Sequence, residues 1–151
     1  MLKLIYSMGD LDVEQLLKIY EEWDLDEENY LDFLRNDFFR QKDAFFAVWA
    51  LQGQYKAALR VEPYSDGLLI AALSTAPGER RNGYGYLLVM EVLKHLSTLS
   101  YKVVYSHIDK KNHPSIQLHK KCGFQFFTDY AKYLDGTVTY NSFTMNYLYK
   151  K

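Results

Sequence analysis

Two stretches of the chain combine residue types and spacings that can do chemistry. The first is Ala76-Pro77-Gly78-Glu79-Arg80-Arg81-Asn82-Gly83-Tyr84-Gly85, between an apolar run and a helical pattern. Backbone amides at a helix N-terminus lack internal partners and carry partial positive charge, so a turn of this kind binds phosphate. Glycines at 83 and 85 let that backbone approach a pyrophosphate with no side chain in between. The Gly-Lys-Ser/Thr ending of a nucleotide P-loop is missing, as is the third glycine of a dinucleotide fingerprint. The second stretch is Asn112-His113-Pro114-Ser115-Ile116-Gln117-Leu118-His119-Lys120-Lys121-Cys122-Gly123-Phe124. It offers a histidine that can exchange protons near neutrality and two lysines that can meet phosphate. His107, His113 and His119 recur every six residues, a spacing that suits no single helical face. Without cysteine or paired carboxylate ligands, no metal site is expected. Cys122 reads as a small buried residue before Gly123 rather than as a nucleophile.

Periodicity supplies the elements that must position these stretches. Residues 2–6 read as a short first strand. From Asp10 onward Leu11, Val13, Leu16, Leu17 and Tyr20 recur at helical spacing, with Ser7 or Asp10 as cap. A second helical stretch carries Tyr30, Leu31, Phe33, Leu34, Phe38 and Phe39. Residues 44–51 and 55–62 form a hairpin around Gln52-Gly53-Gln54, and residues 68–75 are a nearly continuous apolar run, as in a strand buried on both faces. After the glycine turn come a helix over about 86–99, a strand over 103–108, a short helix over 114–121 and a strand over 124–130. A turn at Asp135-Gly136 leads into a last strand from Thr137 to about Tyr149, read as a second hairpin. Helices interleaved with strands make one mixed α/β (α+β) domain spanning residues 1–151.

Composition narrows the function classes. With 48% hydrophobic and 25% charged residues, a chain of 151 residues buries a core without disulfide or metal. The lone Cys122 has no internal partner, which points to a reducing, cytoplasmic compartment. No apolar run approaches the roughly 18 residues of a membrane span, and no signal peptide is evident, so no membrane partner is expected. A net charge of −1 argues against a nucleic-acid binder. That figure conceals two blocks. Residues 10–43 hold twelve acids against four bases, and residues 79–121 hold eight bases against three acids.

Taken together, the two stretches resemble the GNAT superfamily of acetyl-CoA-dependent N-acetyltransferases. Arg80, Gly83 and Gly85 match its R-x-x-G-x-G signature. Asn112, Ser115, Leu118, His119, Gly123 and Phe124 match its N-x-x-S-x-x-L-(Y/H)-x-x-x-G-F pattern. The resemblance implies a central mixed, mostly antiparallel, twisted sheet of about seven strands with about four helices, its middle parallel strands splayed into a slot for pantetheine. It further implies that acetyl-CoA is the cosubstrate and that Leu73, Ser74 and Thr75 line its pantetheine and acetyl group. Arg80, Arg81, Asn82, Gly83, Tyr84 and Gly85 would hold its phosphates. Asn112, Ser115 and Lys121 would complete the cofactor site, with no metal.

By the same resemblance the acetyl group passes directly to a primary amine, without an acyl-enzyme. His119 stands where many members place a tyrosine and is the candidate general acid. Glu62 is the tentative general base, with Asp66, Glu22 and His107 as alternatives. The acidic region around Trp23, Asp24, Asp26, Glu27, Glu28 and Tyr30 suits a small cationic amine as acceptor. A protein N-terminus or lysine is an alternative acceptor, and a non-catalytic acyl-CoA-binding sensor an alternative function. The aromatic-rich region from Tyr133 to Tyr149 suggests a homodimer surface or an aromatic pocket wall.

Overall fold

Apolar runs and helical patterns resolve into nine strands and four α-helices over residues 1–150, which the computed structural model describes. The strands are β1 (Leu2–Ile5), β2 (Phe45–Leu51), β3 (Gln54–Tyr64), β4 (Gly67–Thr75), β5 (Val103–Asp109), β6 (Gln125–Thr128), β7 (Ala131–Lys132), β8 (Val138–Thr139) and β9 (Ser142–Leu148). The helices are α1 (Val13–Ile19), α2 (Glu27–Phe33), α3 (Tyr84–Leu96) and α4 (His113–Lys121). Seven strands form one sheet in the order β1-β2-β3-β4-β5-β9-β6, and β4 with β5 is its one parallel pair. This is the mixed, mostly antiparallel sheet expected from the sequence.

Both faces of the sheet are covered, which is why β2 and β4 read as continuous apolar runs rather than as alternation. Phe45, Ala47, Leu59, Val61 and Ile70 pack with Leu88, Val92 and Leu96 of α3. Phe46, Val48 and Ala58 pack on the other face with Leu16 and Ile19 of α1 and with Phe38. Full burial of a side chain such as Leu88 or Leu96 stabilises the fold by roughly 1.5–3 kcal/mol relative to exposure. No helix among the described residues is long and apolar enough to cross a membrane.

Helix ends follow their caps. Asp26 Oδ1 accepts from Asn29 N at 3.2 Å to start α2, and Asn112 Oδ1 accepts from Ser115 N at 3.2 Å to start α4. The expected cap of α1 moves to Asp12, whose Oδ1 accepts from Gln15 N at 3.2 Å. Leu11 is extended and buried just before it, and Ser7 instead opens a 3₁₀ turn, Met8–Asp10. The last strand also differs from expectation. Asp135-Gly136 turns the two-residue ribbon β7–β8, strand structure is interrupted at Tyr140 and Asn141, and β9 inserts between β5 and β6. Seven register pairs with β5, from Val103↔Leu148 to Asp109↔Ser142, decide that placement.

The feature that makes the site is the short parallel pairing. β4 and β5 are in register only over Leu68↔Val104, Leu69↔Tyr105 and Ile70↔Ser106, although both strands run further. Just beyond Ile70 the β3–β4 register shifts by one residue, and Ala72 takes a left-handed conformation with φ of 57°. A bulge bends its strand, and here it carries β4 away from β5. Tyr20 Oη donates to the Ala72 carbonyl at 2.6 Å, which holds a conformation that a non-glycine residue adopts at a cost. Tyr20→Phe should therefore lower stability by about 1–2 kcal/mol in urea unfolding, because the carbonyl of the bulge loses its partner.

Candidate active site

Where β4 and β5 part, a slot of about 200 Å³ opens, lined by Trp23, Ile70, Ala72, Leu73, Ser106, His107, Ile108, Asp109, Asn112, Ser115 and His119. Beyond Ile70 the edge of β4 that faces β5 has no strand partner, so its amides and carbonyls are available to a ligand. Leu73 lines this slot. Ser74 is buried and turned the other way, its Oγ donating to the Ile19 carbonyl at 3.3 Å.

The glycine turn stands where the sequence places it, between β4 and α3. Gly83 caps α3 in the left-handed region with φ of 79°, and the first intrahelical bond runs from Leu87 N to Gly83 O at 3.0 Å. The amides of the first turn therefore lie outside the helical ladder. Gly85 has a different reason to be glycine. A Cβ there would come within 3.2 Å of Leu118 and 3.5 Å of Thr75 Oγ1, so its missing side chain brings α3 close to α4 and β4. Arg80, Arg81 and Asn82 are exposed. Arg80 pairs with Glu22 at 3.2 Å, and Asn82 Nδ2 donates to the Glu79 carbonyl at 3.2 Å. Lys121 lays its ammonium 4.4 Å from the ring centre of Tyr86, beside this turn, whereas Lys120 lies over Phe126. Tyr84 is half-buried at the start of α3.

His119 is 1% exposed, with partners at both ring nitrogens. Nδ1 lies 2.8 Å from the Ser115 carbonyl, which only accepts, so Nδ1 carries the hydrogen. Nε2 lies 3.0 Å from Ser106 Oγ. Burial pushes the imidazole below its ordinary 6.5, only partly offset by the Ser115 carbonyl, and in the neutral ring Nε2 then accepts from the Ser106 hydroxyl. The expected acid thus has a lone pair, not a proton, on its slot-side nitrogen. Ser106 was not singled out by the sequence. Its signal is a polar residue in phase with the core-facing Val104 and Ile108.

Among the four base candidates, His107 is the one that lines the slot. Tyr64 Oη donates to the Lys132 carbonyl, which leaves its oxygen to accept from His107 Nε2 at 3.3 Å. Nδ1 is then the unprotonated nitrogen, and it is buried without a partner. Burial lowers this imidazole also. Glu62 stands on β3 opposite Leu69 and does not line the slot. Asp66 accepts from Tyr105 Oη at 2.6 Å, and Glu22 is engaged by Arg80. Cys122 is buried at the end of α4, its thiol pushed up to about 11, and is inert as a nucleophile.

Trp23 and Ala72 belong to two cavities at once. On the far side of them lies a second space of about 440 Å³, walled by Tyr20, Trp23, Leu25, Tyr30, Phe33 and Arg60 and rimmed by Asp26 and Asn29. The arrangement therefore runs from the amide turn of α3, through the slot with its two histidines, into an aromatic chamber beneath α2. It can hold a long ligand with phosphate at one end and a reactive group at the histidines, facing a second molecule.

The sequence profile of the acetyltransferase (GNAT) family matches residues 10–124. No curated protein matches the chain by sequence. Among solved structures, the fold is similar to that of the ribosomal-protein-alanine N-acetyltransferase of Brucella melitensis, with a TM-score of 0.73 at 20% identity over 97% of this chain and 99% of that one. An acetyltransferase of Streptococcus agalactiae gives a TM-score of 0.74 at 14% identity, covering 98% of each chain. The PaiA N-acetyltransferase of Thermoplasma acidophilum, in complex with coenzyme A, gives 0.69 at 12% identity over 99% of each chain.

Proposed function

Because this chain belongs to the acetyltransferase (GNAT) family, we propose that it transfers the acetyl group of acetyl-CoA directly to the primary amine of a small molecule that arrives as an ammonium ion. The observation that carries this reading is the parting of β4 and β5 beyond Ile70, which opens a slot between the glycine turn of α3 and an aromatic chamber beneath α2. The residues present fit the cosubstrate. Unladdered amides at Gly83–Gly85 and the Lys121 ammonium suit its phosphates, and the free edge of β4 at Leu73 and Thr75 suits the amides of pantetheine. Asn112 and Ser115 border the same slot. When bound, acetyl-CoA supplies an activated thioester and a thiol leaving group.

Protein groups then handle the protons. An ammonium must lose a proton before nitrogen can attack, and His107 Nδ1 is an unpaired, neutral acceptor at the slot. The Ser106 hydroxyl, held by His119 Nε2, is the adjacent polar group of β5 at the same slot. A proton leaving nitrogen can pass through Ser106 to His119 and return by the same path to the departing sulfur. His119 acts as an acid only after it has acted as a base. The acidic residues of α1, α2 and their connection supply a field that draws an ammonium toward the chamber.

Thiol release from acetyl-CoA in the presence of a panel of small primary amines tests the reading. Turnover with at least one such amine is expected, and CoA binding without turnover on any amine would instead make the chain a non-catalytic acyl-CoA sensor. Gly83→Val should weaken CoA binding tenfold or more in calorimetry, since a β-branched residue resists the left-handed φ that aims the α3 amides. Equal affinity in that variant would place the phosphates elsewhere.

A further inference from the structure

Arg60 is the outlying charge of the molecule. It projects from β3, opposite Phe46 of β2 and Ala71 of β4, into the chamber beneath α2. Its guanidinium lies 5.0 Å from the ring centre of Phe33 and 5.7 Å from that of Phe38. None of the ion pairs among the described residues includes it, and its Nε is buried without a hydrogen-bond partner. A desolvated charge with an unmade hydrogen bond is expensive to keep. Stacking on two rings returns part of that cost and fixes the plane of the fork, but satisfies no N–H.

A second donor in the same chamber is equally unserved. Tyr30 Oη is buried and has no partner. Burial raises the Tyr30 phenol, and the Arg60 charge acts in opposition, as it does at Tyr20, so the three groups share one neighbourhood. Tyr20 donates its hydroxyl hydrogen to the Ala72 carbonyl, and its oxygen serves neither Arg60 Nε nor Tyr30 Oη, both of which are without a partner. The remaining walls are Trp23, Leu25, Phe33 and Ala72, with Asp26 engaged in capping α2 and bonding Asn29 Nδ2. Two buried donors, Arg60 Nε and Tyr30 Oη, thus face a largely apolar space whose one carboxylate, Asp26, bonds neither of them and is held by Asn29 at the start of α2.

We propose that this chamber selects an acceptor amine carrying a carboxylate, which Arg60 and Tyr30 bind, with a hydrocarbon or aromatic portion against Trp23 and Phe33. This deepens the acetyltransferase reading and rests on it. One carboxylate provides oxygens for both donors and neutralises the guanidinium with a single negative charge. Trp23 and Ala72 border both cavities, so the amine end of such a molecule reaches the slot while its carboxylate stays beneath α2. The acceptor is then an amino acid or amino-acid-like zwitterion rather than a purely cationic amine, and the acidic block serves its ammonium end alone. A zwitterion also explains why a guanidinium with no carboxylate partner and a buried, unbonded Nε lies beneath the most acidic segment of the chain.

Matched amines with and without a carboxylate test this: phenylalanine against phenethylamine, leucine against 3-methylbutylamine, and 6-aminohexanoate against hexylamine. The wild-type chain should prefer the carboxylated member of at least one pair by tenfold or more in kcat/KM. Arg60→Met should bring that ratio near unity, Tyr30→Phe should reduce it severalfold, and Arg60→Lys should retain part of it. If no pair shows the preference while its amines are acetylated, the proposal fails, and this comparison needs no variant to fold. A ratio that survives Arg60→Met overturns it as well. Calorimetry with 3-phenylpropanoate, a carboxylate with no amine, separates the two readings. Its binding to the wild type, weakened tenfold in Arg60→Met, sustains the carboxylate site even where no amine is acetylated, and that result would count against the enzyme reading alone.

Discussion

His107→Gln should lower kcat by about 100-fold or more and leave CoA affinity unchanged in calorimetry. Glutamine preserves an N–H for the Tyr64 hydroxyl but has no basic nitrogen to stand where Nδ1 stands. The pH dependence separates a chemical role from a packing one. Burial lowers this imidazole from its ordinary 6.5, with no charged neighbour contributing, so the wild-type base stays unprotonated down to a pH below 6.5. The acid limb of kcat/KM should accordingly lie below that value, and the part of it that belongs to His107 should vanish in the variant. Glu62→Gln is the comparison, and a larger loss there than in His107→Gln would return the base to that carboxylate.

The parts of the site that were legible in the sequence are those whose cause is local. Gly83 must be left-handed to start α3, Asn112 must cap α4, and each requirement is met within a few residues of chain. Gly85 stands out in the sequence only as part of a glycine turn, whereas the close packing it permits depends on Leu118 and Thr75, which come from other elements. Ser106, Arg60 and the Tyr20–Ala72 bond escaped because each acquires its meaning only through pairing at a distance. Tyr20 and Ala72 are 52 residues apart. A charged residue at the core-facing phase of β3, in the run Ala57-Ala58-Leu59-Arg60-Val61, is the kind of local contradiction that marks function. The fold shows the same division. Strand positions followed from apolar runs, whereas the place of β9 between β5 and β6 depends on a seven-pair register that no local pattern announces.

Charge segregation also changes meaning in three dimensions. The acidic and basic blocks read as two separate sites along the chain, yet Glu22 and Arg80 join them in one exposed ion pair across 3.2 Å, between the turn after α1 and the glycine turn before α3. An exposed pair of this kind contributes little to stability. Its position matters more, since it links the segment that carries Trp23 to the turn that would hold the phosphates.

His119→Phe should lower kcat by 100-fold or more and also destabilise the fold, for two reasons that a second substitution separates. Removing Nε2 leaves the Ser106 hydroxyl buried with no acceptor, a loss of about 1–3 kcal/mol. Ser106→Ala combined with His119→Phe removes both partners, and replacing a hydrogen-bonded pair by apolar groups is far less damaging than orphaning one of them. The double variant should therefore regain much of the stability in urea unfolding and none of the kcat. Recovery of both would make the pair a packing device. Protonation gives an independent check. The unfolded chain takes up protons at His107 and His119 near 6.5, while burial in the folded chain holds both imidazoles neutral to lower pH. The unfolded state thus binds more protons in that window, so stability is flat above about pH 6.5 and falls as the pH drops toward the lowered folded values. His119→Phe removes one of these two groups, and its stability should fall less steeply with acid than that of the wild type, although it starts lower.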